Sequence, residues 1–267
     1  MDIKKHIPNA ITCGNLFCGC LAIVSAFNGN LVTSAFLVGI AAILDFFDGF
    51  AARMLKVSGE MGKQLDSLAD MVTFGVVPGV VMYHMIKTSI VFHFMNYASS
   101  DSTFIPDTAA IAYKSTFFSI LPFIAFLITI FSAVRLAKFN IDTRQTSSFI
   151  GVPTPANSIL ICSLPLIQHF QPEIAGVNLN VVLNNIYFLI GLSLLMSYLL
   201  VAELPLFALK FKNFGWPDNK IRYSFLIISV ILLILFQFIA IPFIIFLYIV
   251  LSVINNIYNR NNQQHEI

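Results

Sequence analysis

Residues 31–54 read LVTSAFLVGIAAILDFFDGFAARM, and the fold is decided here. From Leu31 to Leu44 the stretch carries no charge and is polar only at Thr33 and Ser34. A helix of this length is about 36 Å long at 1.5 Å per residue, enough to cross a hydrocarbon core of about 30 Å. Its last ten residues then bring Asp45, Asp48 and Arg53. The spacing therefore predicts a membrane-crossing helix whose end carries charge.

Working outward, similar apolar runs recur along the chain. Hydropathy predicts eight segments, at about 10–28, 31–54, 67–88, 116–137, 154–170, 180–202, 222–239 and 241–258. The longest hydrophilic stretches are 96–115 and 208–222. The last two segments are separated only at Ala240-Ile241-Pro242, which predicts a tight hairpin. Composition agrees: 58% of the 267 residues are apolar and 10% are charged, against roughly 25% charged in soluble domains. A water-soluble enzyme and a disordered chain are both excluded. The net charge of +2 gives no basis for nucleic-acid binding. The expected fold class is all-α, a polytopic membrane helix bundle of a six-helix core plus a C-terminal pair. It forms one domain over 1–267, with the catalytic part at about 5–160 and C-terminal helices at about 180–258.

With the amino terminus inside, 13 of the 15 Lys and Arg fall on one side, and only Lys87 and Lys114 on the other. That asymmetry predicts cytoplasmic termini, and the compact size fits a prokaryotic plasma membrane. The first apolar run has no small-x-small cleavage site, so it is expected to remain as the first helix. Cys13, Cys18, Cys20 and Cys162 lack zinc spacing and are expected to be buried thiols. The five histidines are scattered, without a partner at helical spacing, and are expected at solvent or at interfaces.

The acidic residues carry the chemistry. A carboxylate in a membrane helix costs about 2.5–3.5 kcal/mol on insertion scales, yet Asp45, Asp48, Asp66 and Asp70 fall within 26 residues. Asp45, Asp48, Gly49, Ala52 and Arg53 share one helix face, as do Gly62, Asp66 and Asp70. The link from Met54 to Met61 is short, so the two faces can confront each other at the cytoplasmic boundary. Four negative charges together need compensation, and two divalent cations supply it. Oxygen-only ligands suit Mg²⁺ or Mn²⁺. Gly49 and Ala52 leave room for a phosphate to approach, and Arg53 offers donors to its oxygens. The pattern predicts a diphosphate site for metal-assisted phosphoryl transfer.

Asp45-x2-Asp48-Gly49-x2-Ala52-Arg53-x8-Gly62-x3-Asp66-x3-Asp70 resembles, at all eight fixed positions, the signature of the CDP-alcohol phosphatidyltransferase family. Further stretches are most similar to its integral-membrane phosphatidylserine synthase branch. They are Pro8-Asn9-Ala10-Ile11-Thr12 with Asn15, Asp66–Asp70 running into Thr73–Pro78, Arg135–Asn140, and Phe149–Pro155. The resemblance implies transfer of a phosphatidyl group from CDP-diacylglycerol to the hydroxyl of L-serine, releasing CMP. It implies that Asp45, Asp48, Asp66 and Asp70 hold two divalent cations and that Asp70 is also the general base. Gly49, Ala52, Arg53 and Gly62 would hold the CDP moiety, with Thr12 and Asn15 helping. The family's hydroxyl six residues after the motif Arg is Gly59 here, and Ser58 would stand in for it. Arg135, Lys138, Asn140 and Arg144 are the candidates for binding serine, and the turn Gly151–Pro155 would shape the same pocket. A homodimer is implied by family likeness alone. Gly75-x3-Gly79 around Pro78 predicts close packing and a kink. Two rivals stand beside this reading. One is a phosphatidylglycerophosphate or phosphatidylinositol-phosphate synthase of the same family; the other is an ion-coupled transporter.

Overall fold

A computed structural model describes residues 3–57, 59–100, 116–141, 148–207 and 215–265. Ser58 and Arg144 lie outside them, as does much of the two hydrophilic stretches at 96–115 and 208–222. Eleven helices and four very short strands are present among the described residues. The helices are α1 (Ile3–Phe27), α2 (Leu31–Met54), α3 (Glu60–Asp70), α4 (Val77–Ser100), α5 (Thr116–Ile120), α6 (Phe126–Ile141), α7 (Thr154–Phe170), α8 (Leu179–Leu183), α9 (Ile186–Val201), α10 (Trp216–Phe236) and α11 (Ala240–His265). A π-helical turn, Met71–Val76, joins α3 to α4, and a 3₁₀ turn, Leu121–Ala125, joins α5 to α6. The result is an all-α polytopic membrane bundle. Five helical stretches are long and apolar enough to cross a bilayer, the last of them running through the α10–α11 pair.

α1 and α2 form the tightest hairpin. Gly29 turns the chain at φ +78°, a conformation open to glycine. Asn30 then caps α2, its side chain accepting from the Thr33 N–H at 3.0 Å. The buried residues at this interface are small (Ala22, Ala26, Ala35, Val38 and Ala41), so the helices approach closely. The opposite face of α2 points outward: Phe46, Phe47 and Phe50 are all exposed, as suits a lipid-facing surface.

Several sequence boundaries shift. α1 begins at Ile3, with Pro8 inside it, and α3 begins at Glu60. Both additions are polar turns ahead of an apolar run, which hydropathy does not register. The sixth segment is broken at Asn184, whose neighbour Asn185 caps α9. The final hairpin turns at Gln237–Ile239 and leaves Pro242 in the first turn of α11, a position proline tolerates. Gln237 has φ +49°, and Phe225 meets Tyr248 across the pair with ring centroids 5.7 Å apart.

A π-helical turn, Met71–Val76, stands just before Pro78, where the sequence predicts a kink. Proline has no N–H to give to the preceding turn, and neighbours satisfy the loosened backbone. Thr129 Oγ1 donates to the Gly75 carbonyl at 2.9 Å, while Thr73 Oγ1 of the turn donates to the Asn15 carbonyl of α1 at 3.3 Å and ties the two together. A Cβ at Gly19 would collide with Thr73, and one at Gly79 with Thr129. The glycines therefore let α1 and α6 close on this turn. α7 is the shielded rod, buried along most of its 17 residues, so it needs no long apolar face.

Two strand pairs escaped the sequence reading. β1 (Ser148–Ile150) pairs antiparallel with β4 (Pro205–Phe207), in register Phe149 with Leu206. β2 (Glu173–Ile174) pairs with β3 (Val177–Asn178) around Ala175 and Gly176, both at positive φ. Gly151 has φ +76°, and a Cβ there would collide with the Leu200 carbonyl. Its N–H donates to the Leu204 carbonyl, so this turn fastens the start of α7 to the end of α9. The cysteine expectation is corrected in part: Cys162 is buried, whereas Cys13 and Cys20 are exposed on α1 and Cys18 is intermediate. Thiols suit a lipid-facing surface as well as a core.

Candidate active site

The packing of α1, α2 and α3 gathers the aspartates. Asp45 and Asp48 stand on adjacent turns of α2, and Asp66 faces them from α3. One carboxylate oxygen from each of the three lies within 4.8 Å of the others. Asp70, one turn beyond Asp66, comes within hydrogen-bonding range of Asp45. Its Oδ1 is buried and has no partner. Thr12 reaches across from α1 and donates to Asp48 Oδ2 at 2.7 Å, which fixes that buried carboxylate in place. The four groups are thus one cluster, and its oxygen donor set fits a hard divalent cation.

Beside the cluster lies a cavity of about 590 Å³. Its walls come from α1 (His6, Pro8, Asn9, Thr12), α2 (Asp48, Gly49, Ala52), the loop (Val57, Gly59) and α3 (Met61, Gly62, Lys63, Asp66). A Cβ on Gly49 would meet nothing within 4 Å, so its missing side chain is space left for a ligand rather than for a neighbouring helix. Gly62 faces Asn9 Oδ1, 3.3 Å from where its Cβ would stand.

The expected residues separate by position. Thr12, Gly49, Ala52 and Gly62 line the cavity. Arg53 is exposed and outside its wall, and Asn15 is fully buried a turn beyond Thr12. Arg135 is buried on α6, with Asp70 in electrostatic reach and its Nε unpartnered. Lys138 is exposed. The Asn140 amide donates to Ser67 Oγ at 2.9 Å, and its main-chain carbonyl accepts from Lys63 Nζ at 3.2 Å. Its side chain therefore ties α6 to the turn of α3 between Asp66 and Asp70. The residues missed are His6, Asn9 and Lys63. Helical spacing held the signal: Asn9 precedes Thr12 by three residues, and Lys63 precedes Asp66 by three.

The sequence profile of the CDP-alcohol phosphatidyltransferase family matches residues 5–196. The chain belongs to that family. It is therefore an integral-membrane transferase of phospholipid biosynthesis, and the transporter reading falls. Among its relatives, a CDP-diacylglycerol–serine O-phosphatidyltransferase of Bacillus subtilis (strain 168) is 35% identical over 151 residues, 57% of this chain and 70% of the relative. One of the same name from Helicobacter pylori (strain J99) is 27% identical over 230 residues, 85% and 79% of the two chains. An archaetidylserine synthase of Methanothermobacter thermautotrophicus is 26% identical over 163 residues, 60% and 58%. The family match ends at Met196, inside α9 rather than at a break in the fold. That helix continues to Val201, and the hairpin α10–α11 follows outside the matched region.

Proposed function

We propose that the chain is a phosphatidylserine synthase, transferring a phosphatidyl group from CDP-diacylglycerol to the hydroxyl of L-serine and releasing CMP. The observation that carries this reading is the four-aspartate cluster beside the Gly49-sided cavity. The names of the relatives support serine as acceptor. Asp45, Asp48, Asp66 and Asp70 would hold two divalent cations, Mg²⁺ or Mn²⁺. When bound, these would neutralise the diphosphate and stabilise charge on the departing CMP.

The protein's own groups do the rest. Gly49, Ala52 and Gly62 make room for the nucleotide, while Thr12 holds Asp48 in place. Lys63 and Arg53 serve the diphosphate, and Ser58 would add a hydroxyl to the nucleotide's donors. Asp70 takes the proton from the acceptor hydroxyl, whose oxygen then attacks the lipid-bearing phosphorus as the bond to CMP breaks. Arg135 binds the acceptor carboxylate, and Lys138 and Arg144 attract it from the cytoplasm. Among the residues whose burial is described, Arg135 is the only buried Lys or Arg. One buried cation suits a single carboxylate better than a phosphate dianion, which favours serine over glycerol 3-phosphate or inositol phosphate. The site and both termini face the cytoplasm in this reading, and residues 1–267 act as one domain.

CMP release by the purified protein, given CDP-diacylglycerol and Mn²⁺ with each acceptor in turn, tests the proposal. Stimulation by serine alone is expected; stimulation by a phosphorylated alcohol overturns the serine assignment. A second expectation concerns the cavity. Gly49→Leu should fold normally, because its new side chain enters open space, yet raise KM for CDP-diacylglycerol by about tenfold or more. Unaltered KM would move the nucleotide elsewhere.

A further inference from the structure

Polar side chains inside a membrane bundle are normally paired, because an unpaired one costs about 1–3 kcal/mol. Several around the π turn are not. On α6, Ser132 is fully buried with a lone hydroxyl, and its Cβ lies 3.2 Å from where a Gly75 Cβ would stand. Arg135 follows one turn later with an unpartnered Nε. On α7, which packs against the π turn, Thr154 and Asn157 are fully buried. The Thr154 hydroxyl and both polar atoms of the Asn157 amide lack partners. Beside them α11 packs on α7 and on β4. Its Tyr248, on the same face as the buried Ile245 and Ile249, comes into electrostatic reach of Arg135.

We propose that these groups form the acceptor chamber, and that Asn157 and Tyr248, both outside the eight-position signature, determine how tightly the acceptor is held. This rests on the acceptor reading above. An amino acid with a free hydroxyl needs a cation for its carboxylate and oxygen acceptors for its ammonium group. Arg135 supplies the first; the Asn157 carbonyl and the neighbouring hydroxyls supply the second. Tyr248, like Asp70, stands within electrostatic reach of the guanidinium. The C-terminal hairpin thereby becomes part of the site, although the family match does not include it.

The test uses the full chain in detergent, with whichever acceptor drives CMP release by the unaltered protein as the probe. Asn157→Leu removes the amide at similar volume. It should raise acceptor KM by about tenfold or more while leaving KM for CDP-diacylglycerol within about twofold. A purely structural asparagine predicts a different result: relief of an unpaired polar group, higher thermal stability and unchanged KM. That result overturns the proposal. Tyr248→Phe keeps the ring contact with Phe225 and should raise acceptor KM about threefold or more; it decides the matter where Asn157→Leu does not fold. If the unaltered protein prefers a phosphorylated alcohol, the serine reading falls, and the two variants still test the chamber with that alcohol.

Discussion

Asp70→Asn is expected to leave the bundle folded and to lower kcat by about three orders of magnitude, within the range for loss of a general base. The substitution changes almost no volume. It also removes one negative charge from a cluster in which Asp45 is within hydrogen-bonding range of Asp70. Thermal unfolding should therefore stay where it is or move upward, since like charges in close contact oppose folding. The amide cannot take the acceptor's proton, so CMP release should nearly vanish. Near-normal turnover from folded Asp70→Asn protein would remove Asp70 as the base. Lost folding together with lost turnover would point to a structural role instead.

Excess chelator is expected to abolish CMP release, by at least about a hundredfold, and added Mn²⁺ or Mg²⁺ to restore it. The reason is electrostatic: Asp45, Asp48 and Asp66 bring oxygens within 4.8 Å of one another, and the incoming diphosphate adds further negative charge. Without cations the site repels its own substrate. Direct Mn²⁺ binding by the folded protein supplies a readout independent of turnover, and Asp48→Asn should weaken it by about tenfold or more. Full activity in excess chelator would remove the metals from the mechanism.

Several of these groups were visible in the sequence because helical geometry is local. Spacing of three, four and seven residues placed Asp45, Asp48 and Ala52 on one face whatever α2 packs against. The apolar runs likewise announced the rods, since a membrane span must satisfy its own backbone. Other features depended on contacts between distant segments. Asn140 was a serine-binding candidate by family likeness; only the fold shows that its amide donates to Ser67, 73 residues away. The strand pair β1–β4 is too short to show alternation, and only the return of the chain after α9 creates it.

The sequence by itself determined that the chain is a helical membrane protein with a charged, metal-suited acidic face, because periodicity and hydropathy act over a few turns. Tertiary structure decided which polar groups meet. It brought His6 to the cavity wall, drew Arg135 inward to within electrostatic reach of Asp70, and brought Tyr248 of the last helix within electrostatic reach of Arg135. These meetings depend on how whole helices pack, and side-chain spacing along one helix holds no record of its neighbour's register.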